Sequence, residues 1–307
     1  MLILIAGITG NIGQHAARHA LTLGHQVRGL SRTPDKLDPS IMARCEDFVC
    51  STTYYDIAAL DQACAGADAV ICAYAGIPEL HLDGQLLLLR AAERAGVRRF
   101  LAASHNNDWR KIAMGEVPIY DPARMFHVQA ALTSTIKPLH ILSGTFVDVL
   151  FGGEGQGNFT PEVGGVWDSR IDPPQLHIWG SGHEKWCLTT EEDGGKWAAE
   201  LVTSDNAENG GFVLLCSMEL SLMELKDTYE RFRGKEVRII RRGTTRDLEK
   251  TVEEKKGAGS HWADWLRYAF VLHCTKGTWA LSKDSFEGFH PSVPTSLEAW
   301  LEKNPKV

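Results

Sequence analysis

The chain has 307 residues, of which 44% are hydrophobic and 23% are charged, and its net charge is −7. This composition is typical of a folded globular protein, and it excludes a disordered or fibrous chain. The excess of acidic over basic side chains provides no overall field that would attract nucleic acid or an anionic membrane. We therefore expect neither as a partner.

Seven cysteines are scattered along the chain without any Cys-x-x-Cys pair. A zinc ribbon or a disulfide framework needs closer pairing, so we expect reduced thiols and no bound metal. The apolar start, residues 1–6, is too short for the core of a signal peptide. No apolar run approaches the about 20 residues of a membrane span. These patterns predict a cytoplasmic protein.

The first hundred residues alternate between strand-like and helix-like segments. The predicted strands are residues 2–6, 26–31, 48–50, 69–73 and 99–103, and the predicted helices are residues 13–23, 57–63 and 83–95. Strands and helices that alternate at this interval indicate right-handed βαβ crossovers and a parallel sheet. The sequence therefore predicts an α/β fold, the doubly wound parallel sheet of a Rossmann domain.

The alternation loosens after residue 104. Residues 105–120 predict a long functional loop with a partial helix, and residues 152–183 are rich in Gly and Pro without a long helix. Helices are predicted at 125–132, 193–202 and 223–232, and strands at 139–142, 212–215 and 237–240. A charged and then aromatic helical region is predicted at 246–269.

A glycine-rich segment joins the first predicted strand to the first predicted helix. Its pattern is the G-x-x-G-x-x-G variant of the dinucleotide fingerprint. The first glycine permits a sharp turn, the second lets the backbone approach a pyrophosphate, and the third lets the helix pack close to the strand. The helix start presents free N–H groups to the phosphates. The predicted cofactor-binding residues here are Gly7, Thr9, Gly10, Asn11, Ile12 and Gly13.

The end of the second predicted strand indicates which nucleotide binds. A site for NAD has Asp or Glu there, whereas this chain has Ser31-Arg32-Thr33 and no carboxylate before Asp35. The planar guanidinium of Arg32 suits a 2′-phosphate, and Lys36 adds a second positive charge. The alternative is that Arg32 is an exposed side chain on a solvated turn. We predict NADP(H) as the cofactor.

With these residues the chain resembles the NmrA-like and isoflavone-reductase-like group of atypical short-chain dehydrogenases. Further matching segments are Gly96-Val97-Arg98-Arg99-Phe100, Gly144-Thr145-Phe146 and Glu192-Asp193-Gly194-Gly195. The resemblance implies a Rossmann domain with NADP(H) across the carboxyl edge of the sheet, and a smaller C-terminal α+β substrate lobe. We place the NADP-binding domain at residues 1–150, joined by segments at about 184–220, and the mainly substrate-binding lobe at 151–307.

The resemblance also implies roles for residues that follow the later strands. Ala73, Tyr74 and Ser104 would lie along the ribose and the nicotinamide, and Phe146 would border the substrate pocket. Ligands of doubly wound sheets do bind beyond the carboxyl ends of the strands. The alternative for each residue is ordinary packing at a strand end.

The proton donor is less clear from the sequence. Short-chain dehydrogenases use Tyr-x-x-x-Lys on one helix face, and this chain has Tyr120 and Arg124 at that spacing. A second register, on the family pattern Lys-x-x-Val-Glu-x-x-Leu, puts Met125 where the lysine belongs. In that register the lysine is missing, and His105 and His127 are the nearby proton donors, unless they are structural. Our catalytic candidates are therefore Tyr120, Arg124, His105 and His127.

The chain has nine tryptophans, and those outside the glycine-rich core of the cofactor half include Trp109, Trp167, Trp179, Trp186, Trp262 and Trp265. Rigid aromatic faces would suit a bulky apolar substrate, and Trp109 and Trp186, in loop-like segments, are the candidate pocket residues. The alternative is that the tryptophans form the core of the small lobe.

Three functions are compatible with these observations. The first is an NADP(H)-dependent reductase of a bulky apolar carbonyl, imine or enone in secondary metabolism. The second is an NADP(H)-binding cyclase or isomerase with little or no net redox change. The third is a non-catalytic regulator that senses the redox state of the nucleotide. We expect a small-molecule apolar substrate for the enzymes, and either a monomer or a homodimer.

Overall fold

The computed structural model describes residues 1–152, 159–257, 259–280 and 289–307. Its strands are β1 (Leu2–Ala6), β2 (Gln26–Ser31), β3 (Asp47–Cys50), β4 (Ala69–Cys72), β5 (Arg99–Leu101), β6 (Leu139–Leu142), β7 (Thr145–Phe146), β8 (Trp167–Asp168), β9 (Gln175–Trp179), β10 (Lys185–Thr189), β11 (Gly211–Leu214), β12 (Met218–Ser221) and β13 (Arg238–Gly243). Its helices are α1 (Asn11–Thr22), α2 (Pro39–Met42), α3 (Ile57–Cys64), α4 (Gln85–Arg94), α5 (Asp121–Thr133), α6 (Val147–Phe151), α7 (Glu191–Thr203), α8 (Leu222–Arg233), α9 (Thr245–Gly257), α10 (Leu266–Thr275) and α11 (Leu297–Lys303).

Seven of these strands form one parallel sheet in the order β11-β6-β5-β4-β1-β2-β3. The winding direction reverses between β1 and β4, and such a reversal opens a crevice at the carboxyl ends of the strands. The predicted doubly wound α/β fold is confirmed. The first five predicted strands match β1 to β5 within two residues at either end.

Strand β1 is apolar throughout because it is covered on both faces. Ile3 and Ile5 belong to the core cluster on the side of α1 and α7, and Leu4 belongs to the cluster on the side of α3 and α4. A strand in the middle of a parallel sheet has no solvated face, so its sequence is a continuous apolar run rather than an alternation of apolar and polar residues.

Helix α7 lies directly against α1, and two glycines permit this close approach. A Cβ on Gly195 would stand 2.4 Å from the Cβ of His15 and 2.7 Å from the backbone N of Ala16. A Cβ on Gly194 would stand 3.3 Å from the Cδ1 of Ile12. Helix α7 therefore packs beside α1 on the same face of the sheet.

The chain from residue 145 onward forms two small sheets besides contributing β11 to the large one. One has the order β12-β10-β7 and the other the order β13-β9-β8. Strand β9 lies in the Gly- and Pro-rich stretch 152–183, in which no strand was predicted; residues 153–158 of that stretch lie outside the described residues. The helical region predicted at 246–269 contains two helices, because α9 ends at Gly257 and α10 begins at Leu266, and Gly259 between them adopts φ +66°.

Aromatic side chains form the core of this second half. Trp167 packs against Phe151 and Tyr229 with ring centroids 4.8 and 4.9 Å apart, and Trp300 lies 5.2 Å from Phe151. Trp186 on β10 is 2% exposed within the same cluster. Packing of the lobe itself therefore accounts for most of its tryptophans. Within the part of the chain described, no helix is long and apolar enough to cross a membrane.

The packing of α7 on α1 predicts that one methyl group added at Gly195 destabilises the folded protein. We expect Gly195→Ala to lower the free energy of unfolding by about 1–3 kcal/mol, because overpacking outweighs the better helix propensity of alanine. Gly257 in α9 is the matched control, since nothing lies within 4 Å of its Cβ position. Gly257→Ala should be neutral or stabilising in the same urea titration. Equal effects of the two substitutions would contradict this account of the α1–α7 contact.

Candidate functional site

The glycine-rich segment between β1 and α1 brings three pieces of backbone together. Gly7 has φ +81°, and a Cβ on it would stand 2.6 Å from the carbonyl O of Ala73 at the end of β4. A Cβ on Gly13 would stand 2.4 Å from the carbonyl O of Gly7. The N–H of Gly10 donates to the Gly7 carbonyl over 3.0 Å. This cradle is closed to any side chain larger than hydrogen at Gly7 and Gly13.

A groove of about 660 Å³ lies in front of this cradle, at the amino end of α1. The first turn of α1 carries no acidic side chain, so the positive end of the helix dipole is not neutralised there. The predicted residues Gly7, Thr9, Gly10, Asn11, Ile12, Ala73 and Tyr74 line the groove. Gly13 is buried behind it and acts through packing.

One end of the groove is formed by the end of β2 and by the segment after β3. The guanidinium of Arg32 lies 4.1 Å above the ring of Tyr54, and the hydroxyls of Ser31 and Thr9 are 2.7 Å apart. The single acidic residue among the described lining residues, Glu191, belongs to α7 and not to this end. Lys36 is exposed in the 3₁₀ turn Pro34–Lys36, and it does not line the groove.

An inner cavity of about 230 Å³ continues from the groove and shares Ile12, Ala73, Tyr74, Gly76 and Phe146 with it. Its remaining wall is formed by Cys72 and His81 and by the residues that follow β5, Ala103, Ser104, His105 and Asn106. Three polar atoms of this wall are buried and without a hydrogen-bond partner among the described residues. These are Nδ1 of His81, Nδ1 of His105 and Nδ2 of Asn106.

Burial keeps both cavity histidines uncharged. Removal from water lowers the pKa of His81 and of His105 to about 4, from 6.5 for an ordinary imidazole. Ser104 is occupied in the fold, because its hydroxyl donates to the Ala102 carbonyl and accepts from the N–H of Ile141, each over 3.1 Å. The inner cavity is therefore polar without being charged.

The comparisons with known proteins agree with this geometry. A family model described as NAD(P)H-binding matches residues 7–120. Phenylcoumaran benzylic ether reductase of Pinus taeda is 27% identical over 246 residues, covering 75% of this chain and 74% of that protein. The solved structures of pinoresinol-lariciresinol and phenylcoumaran benzylic ether reductases match with a TM-score of 0.77 at 19% identity, over 98% of both chains. This chain is a homologue of the isoflavone-reductase-like proteins, and it contains an NAD(P)H-binding domain.

A solved complex of a reductase with its nucleotide has the same fold as this chain. The binary complex of leucoanthocyanidin reductase with NADPH from Vitis vinifera has a TM-score of 0.71 at 20% identity, and the match covers 94% of this chain and 91% of that one. Among the described residues, no group of three or more His, Cys, Asp or Glu side chains is placed to hold a metal ion.

The structure does not place the predicted Tyr120–Arg124 pair in the cavity. Tyr120 is 5% exposed in the core of the second half, and its hydroxyl accepts from the backbone N–H and the side-chain Nδ2 of Asn107, each over 3.4 Å. Arg124 donates to the backbone carbonyls of Trp109 and Ile112. The i, i+4 spacing thus reflects the anchoring of the loop 105–120, and Pro122 lies in the first turn of α5.

His127 and Trp109 also lie away from the cavity. His127 Nδ1 is 3.3 Å from Nε2 of His140, and Trp109 packs edge-on against Phe212 at 5.5 Å. Trp109 and Trp186 are 3% and 2% exposed, so the expectation that they line a pocket is not met. Their loop-like sequence context did not reveal that the core of the second half reaches them.

Tyr54 and His81 are among the side chains at the site that the sequence did not reveal. Tyr54 beside Arg32 follows β3, and His81 follows β4, between the predicted strand 69–73 and the predicted helix 83–95. The position of each after a strand of the parallel sheet was the available signal, because the carboxyl ends of these strands share one edge. Of the four catalytic candidates, His105 alone lines the cavity.

The lowered pKa values of His81 and His105 predict a loss of stability in mild acid. Below about pH 6.5 the unfolded chain takes up protons that the folded side chains bind only near pH 4. The free energy of unfolding should therefore fall across this interval, by at most about 3 kcal/mol for each histidine. The double variant His81→Gln and His105→Gln should show a smaller fall between pH 6.5 and 4.5 in urea titrations. His183→Asn, which removes an exposed histidine, should keep the wild-type fall.

Proposed function

We propose that this protein is an NADP(H)-dependent reductase of an apolar carbonyl, imine or enone. One observation carries the proposal. The groove at the amino end of α1 opens into a cavity lined by two uncharged imidazoles and the ring of Phe146. Such a continuous space accommodates a dinucleotide along the strand ends and a reducible group at its inner end.

The residues of the groove fit NADP(H) in particular. Gly10, Asn11 and Ile12, at the amino end of α1, line the groove, and the amino end of a helix is where backbone N–H groups bind a pyrophosphate. At the end of β2, Arg32 and the hydroxyl of Ser31 provide hydrogen-bond donors for a 2′-phosphate. No described carboxylate from β2 or the segment after it lines the groove, which favours NADP(H) over NAD(H).

When bound, the reduced nicotinamide would supply a hydride to the acceptor. Ile12 and Phe146 line both the groove and the inner cavity, and we assign them the exclusion of water from the reacting group. His105 follows β5, and we propose that it forms a hydrogen bond near the nicotinamide. Its buried Nδ1 stands against α7, where a Cβ on Gly194 would be 3.5 Å away.

The division of labour between the two halves of the chain is part of the proposal. Residues 1–150, with segments at about 184–220, would bind the nucleotide, and the lobe at 151–307 would support the substrate side mainly by packing behind it, since only Glu191 of its described residues lines the groove. The aromatic residues of the second half are packed as a core. We therefore propose that the substrate is held by Phe146 and Val149 and by the apolar segment around the exposed Ile77.

The reductase proposal predicts consumption of NADPH by a suitable acceptor. Absorbance at the NADPH band should decrease when the protein is mixed with NADPH and one of a panel of quinones, cyclic enones, aromatic aldehydes or cyclic imines. Tight binding of NADPH without turnover of any acceptor would contradict the proposal. Conversion of a substrate without loss of NADPH would indicate the cyclase or isomerase alternative.

The Arg32 assignment predicts a selective loss of affinity. Arg32→Ala should weaken NADPH binding by about 1.5–3 kcal/mol, the contribution of hydrogen bonds to a charged group, and leave NADH binding nearly unchanged. Calorimetric titration of both nucleotides measures the difference. Arg98→Ala is the control, since its side chain is 77% exposed and does not line the groove. Equal losses for NADPH and NADH would contradict the role of Arg32.

A second candidate function, the redox-sensing regulator, is favoured by a specific observation. Neither Tyr120 nor Arg124 lines the cavity, so a tyrosine and a cation four residues apart on one helix, as in short-chain dehydrogenases, are missing among the described lining residues. The tyrosine that does line the inner cavity, Tyr74, follows β4 and has no lysine or arginine beside it in the lining. A regulator would bind NADP⁺ and NADPH with different affinities and would turn over no acceptor in the panel above.

A further inference from the structure

His81 lies in a short π-helical segment that directly precedes α4. Residues Leu80–Gly84 form a π-helical turn that runs directly into α4. The wider turn inserts a residue and changes the direction of nearby side chains, and such turns are frequent at functional sites. His81 is 6% exposed and lines the inner cavity together with His105.

The backbone around His81 is tied to the end of β5. The N–H of His81 donates to the Ile77 carbonyl over 2.9 Å, and its carbonyl accepts from Nε2 of Gln85 over 3.0 Å. The other side-chain atom of Gln85, Oε1, accepts from the backbone N–H of Ala103 over 2.5 Å. Gln85 is fully buried, so it fixes His81 relative to the strand end that carries Ser104 and His105.

The surroundings of the ring determine which nitrogen carries the proton. Nδ1 of His81 is buried without a partner among the described residues, and an unpaired N–H in that place would be unfavourable. The Cε1–Nε2 edge faces Gly76, whose Cβ position lies 3.7 Å from Cε1 and 3.9 Å from Nε2. Gly76 lines both the groove and the inner cavity. The favoured tautomer therefore has its proton on Nε2, at the cavity side, and the low pKa keeps the ring neutral near pH 7.

We infer that His81 is a catalytic residue, whose Nε2–H donates a hydrogen bond to the carbonyl oxygen of the substrate during reduction. This inference rests on the proposed reductase function and narrows its substrate class. A neutral imidazole can polarise a carbonyl or enone oxygen. A positively charged iminium has no lone pair to accept the bond, so it gains nothing from His81.

The electron and proton balance is that of an ordinary carbonyl reduction. As a hydride adds to the carbonyl carbon, or to the β-carbon of an enone, the displaced π pair ends on the oxygen. That oxygen is stabilised by Nε2–H and then takes one proton from water. His81 keeps its own proton throughout, as expected for an imidazole that stays neutral.

The first test compares two substitutions of His81. His81→Leu removes the donor and should lower kcat for cyclohex-2-enone or benzaldehyde by about 100-fold or more, as for loss of one donor to a developing oxyanion. His81→Gln keeps a donor near the Nε2 position and should recover part of that loss. Both variants should bind NADPH as the wild type does, and reduction of N-methyl-3,4-dihydroisoquinolinium should change less than threefold.

His177→Leu is the matched control, because His177 is also buried with an unpartnered Nδ1 but lies on β9, outside the cavity. It should leave kcat unchanged. A His81→Leu enzyme that reduces the enone and the aldehyde at more than a third of the wild-type rate would overturn the inference.

A second measurement does not depend on activity or on the folding of a variant. In the wild-type protein, ¹⁵N-resolved imidazole spectra between pH 5.5 and 8 should show His81 as the neutral tautomer with the proton on Nε2. A proton on Nδ1, or a charged ring at pH 7, would overturn the inference. Failure of the wild type to reduce any acceptor would instead contradict the reductase proposal and leave the spectroscopic result to be judged separately.

Discussion

The structure depends on a close contact between backbone segments that leaves no space for a side chain between them. The turn after β1 approaches both the end of β4 and the start of α1 so closely that a Cβ on Gly7 or Gly13 would overlap a carbonyl oxygen. Helix α7 packs beside α1 on the same face of the sheet, through an equally close contact at Gly195. The amino end of α1 is thereby fixed from two directions, and the groove and the inner cavity both take their position from it.

The chemistry at the inner end of the groove differs from that of a tyrosine and lysine pair. The polar side chains there include two imidazoles that burial keeps neutral, Tyr74 and Ser104, and Asn106, whose Nδ2 lacks a partner among the described residues. Neutral donors in a cavity with an apolar wall can stabilise a developing negative charge without first repelling or attracting ions. This is compatible with reduction of an uncharged acceptor and less so with chemistry that needs a cation beside a phenol.

The aromatic residues of the second half serve stability more than recognition. A lobe built from two three-stranded sheets has little sheet area of its own, so large rings such as Trp167, Tyr229 and Trp300 supply much of its buried apolar surface. Arg124 and Tyr120 belong to the same system, since they anchor the loop that connects β5 to α5. Among the described residues that line the groove and the inner cavity, Glu191 alone lies beyond residue 150, so this half contributes little to their walls.

Local sequence patterns determined the sheet, the glycine turn and the nucleotide end of the groove. The run Leu2–Ala6, the three spaced glycines and the Arg32 position each act through neighbouring backbone, so the one-dimensional pattern carries their structural meaning. Tertiary structure alone decided which side chains surround the inner cavity. His81 and His105 are 24 residues apart and are joined through Gln85, whereas Tyr120 has the right spacing to Arg124 and is nevertheless buried elsewhere. The physical reason is that burial and side-chain direction depend on elements packed from distant parts of the chain, which no local spacing records.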